Sequence, residues 1–215
     1  MRKILVIIFF LLFYNLTFGQ DAKDSFWKKY IDLDIQKLNL KPFDNLHYEK
    51  AYRIWTYSYQ VVELIKINDT TYTGQLVNYV TKRSKKVKSN KTIFQKLIIP
   101  DGTVKLLIEI LSVENIEKLQ DSDEVKGYIN GLDGTTYVFE ISSDNQKRVY
   151  SFWEPESVQY QNPEIIEVKH VRNILNAIKS EIDTGRLFSA FIDSLDIGKY
   201  LYGGAVLTKT KNYTF

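Results

Sequence analysis

The chain contains no cysteine. It therefore has no disulfide bonds, no thiolate metal ligands and no cysteine nucleophile. A lipid-modified N-terminal cysteine is excluded for the same reason. The fold has to be stabilised by an apolar core alone.

Histidine is also scarce, since His47 and His170 are the only two in the chain. The sequence has no His-Glu-x-x-His helix, no Gly-x-Ser-x-Gly turn and no glycine-rich phosphate loop. His170 lies beside apolar positions of a predicted helix, where a hydrogen-bonded or exposed histidine is the usual outcome. The sequence therefore predicts no catalytic residues, no metal site and no cofactor.

Net charge is small. Of the 29 basic residues, Arg2 and Lys3 precede the first apolar run, and the other 27 are balanced by 26 acidic residues. A nucleic-acid-binding protein normally has a larger basic excess, so the composition argues against nucleic acid as a partner.

The one long apolar run lies at the N-terminus, from Ile4 to Phe13. It follows two basic residues, is long enough for the core of a signal peptide and is too short to span a bilayer. Gly19 is small enough to precede a cleavage site. We predict a signal peptide over residues 1–19, with the exact cut left open, and a single domain over residues 20–215. An uncleaved membrane anchor is the alternative.

Export without disulfides is typical of bacteria, because eukaryotic secreted domains of this size usually contain them. The predicted location is therefore the periplasm or the extracellular medium. No integral membrane segment is expected after cleavage.

The first half of the chain has mainly strand patterns. After a helix predicted from about Asp24 to Lys41, one long strand is expected from Tyr52 to Ile67. A turn then leads to strands over Tyr72 to Lys82 and Thr92 to Ile99, which form an antiparallel meander.

Helical patterns dominate later. Asp101 is a candidate N-cap for a helix with apolar residues three and four apart, and Ser112 for a short second helix. Asn162 followed by proline predicts the start of the best helix, which ends near Thr184. Gly203 and its neighbour predict either a bent strand or a terminal hairpin.

Strands in one run and helices in another favour an α+β fold over alternating α/β. We predict an antiparallel sheet of about five to seven strands, packed against two or more C-terminal helices. The aromatic content of 14% supplies large side chains for its core.

The clearest local pattern is "GLDGTTYVFEISSDNQKRVYSFWEPES", which runs from Gly131 to Ser157. Residues 135–141 and 148–154 alternate between apolar and polar side chains on either side of a short turn. Pro155 ends the second strand because proline cannot donate to the ladder. This pattern predicts a β-hairpin.

The same hairpin holds a candidate ligand-binding site. Tyr137 and Trp153 beside acidic side chains could stack on a sugar or hold a cation. Two of the carboxylates, at about 5–10 Å, could instead cleave a glycosidic bond. The alternative is that the aromatic residues fill the core and the glutamates are solvated. The candidate residues are Tyr137, Trp153, Glu140, Glu154 and Glu156.

The pattern "DGTTYVFE…YSFWEPE" resembles a segment of uncharacterised exported bacterial proteins, in which a DG turn, an aromatic strand and a Trp-x-Pro strand end occur in similar order. It covers roughly 25 residues. The resemblance implies a fold segment and an exported context, and it implies no activity.

The segment "KRSKKVKSNK" is a second candidate site, for an anion or an acidic partner. Alternatively, it is a like-charged hairpin tip that resists edge pairing. The short acidic stretch from Asp121 to Glu124 lacks the glycine and the distal glutamate of a calcium loop, and we expect it to be a solvated turn. The basic candidates are Lys82, Arg83, Lys85, Lys86 and Lys88.

Three functions are compatible with these observations. The first is a non-enzymatic domain of the bacterial envelope that binds a ligand or a partner, such as another envelope protein or a glycan. The second is a glycan-directed hydrolase that uses the strand carboxylates. The third is an inhibitor or immunity-type protein that binds its target through the basic segment.

Overall fold

The computed structural model describes residues 26–57, 59–84, 90–143 and 146–210. The predicted signal peptide lies outside these residues. None of the helices described is long and apolar enough to cross a membrane. The chain divides into two compact units, Met1–Leu40 and Lys41–Phe215.

The first unit contains helix α1, over residues 26–37. The helix ends before the predicted Lys41 because Asn39 adopts a left-handed backbone, with φ of 51°. The N–H of Leu40 then donates to the carbonyl of Ile35 at 2.9 Å. This is the 6→1 bond of a Schellman cap, and asparagine tolerates its left-handed position.

The second unit contains an antiparallel sheet, with eight strands in its described residues. The predicted α+β fold with an antiparallel sheet is confirmed. The strands are β1 (Lys50–Thr56), β2 (Gln60–Asn68), β3 (Thr71–Lys82), β4 (Lys91–Ile98), β5 (Thr136–Ser143), β6 (Gln146–Trp153), β7 (Gly198–Tyr202) and β8 (Ala205–Lys209).

The order of hydrogen-bonded strands is β6-β5-β1-β2-β3-β7-β8, and β4 pairs with β3. Thr81 of β3 is opposite both Thr92 of β4 and Leu201 of β7. Because a strand residue has one neighbour on each side, β4 and β7 lie on opposite sides of β3. β7 therefore pairs with β3 on the same side as β2, but nearer to the C-terminal end of β3.

The single strand predicted from Tyr52 to Ile67 is wrong. It consists of β1 and β2, which pair from Lys50 opposite Lys66 to Thr56 opposite Gln60. The reversal falls in "TYSYQ", which contains no Gly, Pro, Asn or Asp, and its one serine is a weaker turn residue than these four.

Three helices follow in the second unit: α2 (Asp101–Val113), α3 (Ile166–Ile182) and α4 (Thr184–Ser194). Asp101 is not the N-cap of α2, since Pro100 occupies that position and Asp101 is the first helical residue. Ser112 lies inside α2, so the separate helix expected after it is wrong.

The start of α3 also differs from the prediction. Asn162 makes a local turn, in which its side chain accepts from the N–H of Glu164 at 2.9 Å, and α3 begins at Ile166. Asp183 separates α3 from α4 with φ of 50°, and its carboxylate caps α4 by accepting from the N–H of Arg186.

The terminal hairpin is confirmed. Gly203 and Gly204, between β7 and β8, have φ of 50° and 78°. Two consecutive positive φ angles are what a two-residue type I′ turn requires, and glycine adopts them without steric cost.

The main core lies between one face of the sheet and the helices α2 and α3. Its strand residues alternate along β1, β2, β5 and β6, as the pleat requires. They include Tyr52, Leu64, Phe139, Tyr150 and Phe152, packed against Val104, Leu107, Leu111, Val171, Ile174 and Ile178. A second cluster joins α4 to the end of the sheet through Val80, Phe191, Leu195 and Tyr200.

Residues 114–125 cover the outer edge of β6. The Arg148 guanidinium donates to the carbonyl of Leu119 at 2.8 Å, and the Tyr150 hydroxyl donates to that of Ile116 at 2.6 Å. The carboxylate of Asp121 accepts from the backbone N–H of Ser151 at 3.1 Å. The predicted solvated turn is therefore wrong at its start, because Asp121 is buried and closes a strand edge.

Gly74 provides a test of how tightly α2 packs on β3. A Cβ at this position would lie 2.7 Å from a methyl of Val104 and 2.8 Å from the backbone oxygen of Glu63. We expect Gly74→Ala to lower the free energy of unfolding by about 1–3 kcal/mol, through overpacking. Urea denaturation followed by circular dichroism measures the change.

Gly102→Ala is the matched control, since nothing lies within 4 Å of a Cβ built at Gly102, in the first turn of α2. We expect this change to be neutral or to stabilise by up to about 1 kcal/mol, because alanine favours a helix. Equal effects of the two substitutions would contradict the close packing at Gly74.

Candidate binding site

Tyr137, near the start of β5, contacts Glu156, which lies just after the end of β6. Lys179 of α3 contacts the same glutamate. The Tyr137 hydroxyl donates to Glu156 Oε2 at 2.7 Å, and the same carboxylate accepts from Lys179 of α3 at 2.5 and 2.6 Å. Burial, reinforced by the hydrogen bond to Glu156, raises the pKa of Tyr137. The phenol therefore stays protonated and acts as a donor.

Tyr59, between β1 and β2, lies close to the same charges. Burial and the carboxylates of Glu156 and Glu154 raise the pKa of Tyr59. Its ring packs against Phe188 of α4 and Tyr202 of β7, at centroid distances of 4.9 and 6.1 Å. We call this group the open-end site, after the open end of the β5–β6 hairpin. Its members are Tyr59, Tyr137, Glu154, Glu156 and Lys179.

Glu154 adopts a left-handed backbone, with φ of 46°. This conformation costs a non-glycine residue about 1–2 kcal/mol. Two bonds to Thr135 hold it: the Glu154 N–H donates to the Thr135 carbonyl at 2.8 Å, and the Glu154 carboxylate accepts from the Thr135 N–H at 2.5 Å. The site therefore contains a strained residue whose side chain is fixed.

Trp153 comes from the opposite face of the sheet at this same end. Its indole N–H donates to the carbonyl of Asp133 at 2.9 Å, and its ring lies 4.8 Å from that of Tyr160. Gly131 passes so close to the indole that a Cβ there would lie 2.5 Å from the ring. The loops on either side of the hairpin are thus packed on one tryptophan.

Those two loops expose apolar side chains although they are held in place. The amide of Gln161 donates to the carbonyls of Ile129 and Trp153 at 2.8 and 3.0 Å. Leu132 is fully exposed and Val158 is 78% exposed. We call this surface the apolar loop patch. Its members are Ile129, Leu132, Val158 and Tyr160.

Glu140 does not lie with the other candidate residues. It is three positions after Tyr137 on β5, so the alternation of the strand directs its side chain to the opposite face. There it accepts from the Arg53 guanidinium at 3.3 Å and from the indole N–H of Trp55 at 3.3 Å.

Arg53 lies on β1 and is completely buried. Its guanidinium donates to Glu63 Oε2 on β2, at 2.7 Å from Nε, and to the carbonyl of Lys41 at 2.5 Å. The ring of Phe43 lies 4.0 Å from the guanidinium carbon. We call Arg53, Glu63 and Glu140 the buried ion cluster. It joins three adjacent strands and the segment that precedes them.

The two carboxylates of this cluster differ in their surroundings. Glu63 also accepts from the side chain of Gln75 at 2.6 Å, so both of its oxygens have close donors. Burial raises the pKa of Glu140, although the Arg53 charge opposes this shift. Glu140 therefore gains a proton more readily in the folded chain than an exposed glutamate does.

The basic candidates are described only in part, since Lys85, Lys86 and Lys88 lie outside the described residues. Lys82 Nζ lies 4.0 Å from Asp196 and 5.7 Å from the centre of the Tyr200 ring. The backbone N–H of Arg83 donates to the carbonyl of Lys199 at 2.8 Å. These two residues mark the start of the basic segment, beside β7.

His170 joins two helices. Its Nδ1 lies 2.7 Å from Glu114 Oε2, and the side chain of Asn173 donates to the other Glu114 oxygen at 3.2 Å. Across the described ranges, the acidic and histidine side chains form no group of three that could hold a metal ion.

Sequence reasoning identified Tyr137, Trp153, Glu154 and Glu156 but missed their partners Tyr59 and Lys179. It also missed Arg53. These three residues come from distant positions in the chain, and nothing in their local sequence marks them. To predict that the Arg53 charge is buried, one would have needed to know the order of the strands.

Substitution of each glutamate of the buried ion cluster by glutamine should have different effects. Glu63→Gln removes the carboxylate closest to the buried Arg53 charge, and we expect it to lower the free energy of unfolding by about 3–5 kcal/mol. Glu140→Gln keeps an acceptor for Arg53 and imitates the protonated carboxyl, whose pKa burial raises, so it should change stability at pH 7 by less than about 1 kcal/mol.

The pH dependence gives a further check. A carboxyl with a raised pKa makes the folded state hold more protons, so its contribution to stability falls as pH rises above the ordinary value of 4.5. Wild type and Glu140→Gln are denatured at several pH values between 4 and 8. The free energy of unfolding of wild type should fall relative to that of the variant as pH rises. The opposite slope would contradict the raised pKa.

No protein-family model matches the sequence. No curated protein matches it either. The function proposed below is therefore inferred from the residues and contacts of this chain.

Proposed function

We propose that the chain is an exported, non-enzymatic binding domain whose contact surface is the apolar loop patch, with the open-end site beside it. The observation that carries the proposal is that Leu132 and Val158 are exposed on loops fixed by hydrogen bonds. Exposed apolar groups of this kind, grouped together, mark interaction surfaces.

The composition of the surface favours a protein partner. Leu132, Val158 and Tyr160 expose apolar and aromatic side chains at its centre. A charged pair, Glu156 with Lys179, lies nearby. Protein interfaces have this arrangement of an apolar, aromatic centre with a polar rim. Tyrosine is also among the residues most often responsible for binding energy, and Tyr160 is about half exposed in this surface.

The polar groups of the open-end site support binding rather than bond cleavage. Glu156 accepts from both Tyr137 and Lys179, and Glu154 accepts from the backbone of Thr135. Each carboxylate is thus engaged in holding structure. Preformed contacts of this kind limit the entropy that a binding surface loses when its partner arrives.

Export is part of the same proposal. Its support is the basic and apolar N-terminal segment, together with a cysteine-free chain. The partner would then be another protein of the bacterial envelope or of the surrounding medium.

The double substitution Leu132→Ser and Val158→Ser tests the patch. We expect it to leave stability within about 0.5 kcal/mol of wild type, because both side chains are exposed. Affinity for the partner should fall by about tenfold or more, because burial of a leucine or valine side chain contributes about 1.5–3 kcal/mol. The measurement is quantitative capture from envelope and medium fractions of the source bacterium on immobilised protein.

Ile197→Ser with Val206→Ser is the matched control, since these apolar residues are about half exposed and lie elsewhere, beside and within the terminal hairpin. A protein retained by wild type and by this control, but not by the patch variant, would support the proposal. Equal retention by all three chains, or retention of nothing, would refute it.

A further inference from the structure

Leu132 lies in a short loop between two glycines. Gly131 packs so closely on the Trp153 indole that a Cβ there would lie 2.5 Å from the ring. Gly134 has φ of 127°, and a Cβ there would lie 2.7 Å from the Glu154 carboxylate. Glycine fits both positions because it has no Cβ. The loop is therefore held against β6 and the residue after it on both sides of Leu132.

The loop presents one apolar side chain to solvent. Leu132 is more exposed than any other large apolar residue in the described part of the chain. The next residue is held by its backbone, since the Trp153 indole N–H donates to the carbonyl of Asp133 at 2.9 Å. A side chain on a loop that is already ordered loses less entropy when it enters a pocket. Leu132 is thus placed to be buried by a partner.

Two carboxylates flank this leucine. Asp133 follows it directly, is exposed, and contacts no cation within the described ranges. The Glu154 carboxylate, beside Gly134, accepts from the backbone N–H of Thr135, which carries no charge. The negative charge of both groups is therefore left without a positive partner beside Leu132.

The loops of the patch carry mainly negative charge. Residues 126–135 and 154–165 contain four acidic residues and one basic residue. Glu156 and Glu164 pair with lysines of α3, at 2.5 and 3.0 Å. Arg172 of the same helix donates to the carbonyl of Pro155 at 2.7 Å. Positive charge thus reaches these loops from α3, whereas no described cation contacts the two carboxylates beside Leu132.

We propose that the apolar loop patch binds a protein surface that has an apolar pocket with lysine or arginine at its rim. Leu132 enters the pocket, and Asp133 and Glu154 face the basic rim. The inference rests on the proposed function and adds the chemistry of the partner. Complementary charges at the rim of an interface speed association and reject partners of the wrong sign.

The same charges disfavour a second copy of this chain as the occupant. A symmetric dimer uses the same patch on both subunits. The Asp133 and Glu154 carboxylates of one copy would then meet those of the other. Like charges brought together in this way weaken an interface, so the partner is a different protein.

The test uses β-cyclodextrin as a probe, because its ring encloses an apolar cavity that admits a leucine side chain. One form has amino groups along its narrow rim, one is unmodified, and one has carboxylates in place of the amino groups. Each form is titrated into the full chain, and the shifts of the amide signals of the loop around Leu132 are followed by NMR.

We expect the amino form to bind wild type about fivefold or more tightly than the unmodified form, because two carboxylates face its rim. The carboxylate form should bind more weakly than either. The differences should shrink as salt is added, since salt screens exposed charges.

Variants of the chain separate the rim charge from the leucine. Asp133→Lys should abolish the preference for the amino form and leave binding of the unmodified form unchanged. Glu109→Lys makes the same change of charge at an exposed position of α2, and should keep the preference. The patch variant, with Leu132→Ser and Val158→Ser, should lose binding of all three forms.

The capture experiment separates this inference from the proposed function. A protein that wild type retains and the patch variant loses should be retained about fivefold less by Asp133→Lys, and fully by Glu109→Lys. Equal retention by wild type and Asp133→Lys would overturn the inference and leave the proposed function standing. Retention of nothing by wild type would refute the proposed function itself.

Equal binding of the three cyclodextrins to wild type would also overturn the inference, and so would binding that the patch variant preserves. Partition of wild type, but not of the patch variant, onto phosphatidylcholine vesicles would assign the patch to a membrane surface instead.

Discussion

The sheet is organised around one positive charge that has no access to water. Arg53 lies on β1, between β2 and β5, and its guanidinium contacts a carboxylate from each neighbour. A buried charge is tolerated only when it is paired and hydrogen-bonded. A shift of either neighbouring strand by one residue would turn its glutamate to the other face, so the ion pairs penalise every other register. The register of β5 on β1 also determines where the open end of the β5–β6 hairpin lies.

Local patterns predicted much of the fold. The β5–β6 hairpin follows from strict alternation and from Pro155, and the apolar stripes of α2 and α3 appear at the positions that the structure buries. The pairing of β1 with β2 did not follow, because both strands are buried on both faces and the sequence between them has no Gly, Pro, Asn or Asp. Helix starts were misplaced because Pro100, and not Asp101, is the N-cap of α2, and because Asn162, the expected cap of α3, makes a local turn before that helix.

The candidate site was predictable only where its residues are close in sequence. Tyr137, Glu154 and Glu156 belong to one hairpin, and their proximity follows from strand pairing. Glu140 was grouped with them by sequence distance, although an odd separation along a strand places it on the opposite face. Lys179 reaches the site from α3, and a long-range contact of that kind leaves no trace in a local pattern.

The last turn of α3 lies between the open-end site and a hollow of about 130 Å³ beside Leu97 of β4. Lys179 binds Glu156 at the open-end site, and Glu181 and Ile182, at most one turn later, border the hollow beside β4. A ligand that shifted this turn from one side would change the contacts available on the other side. Any such cooperation must be mutual and equal in size, since the free energy that links two occupancies is the same whichever ligand arrives first.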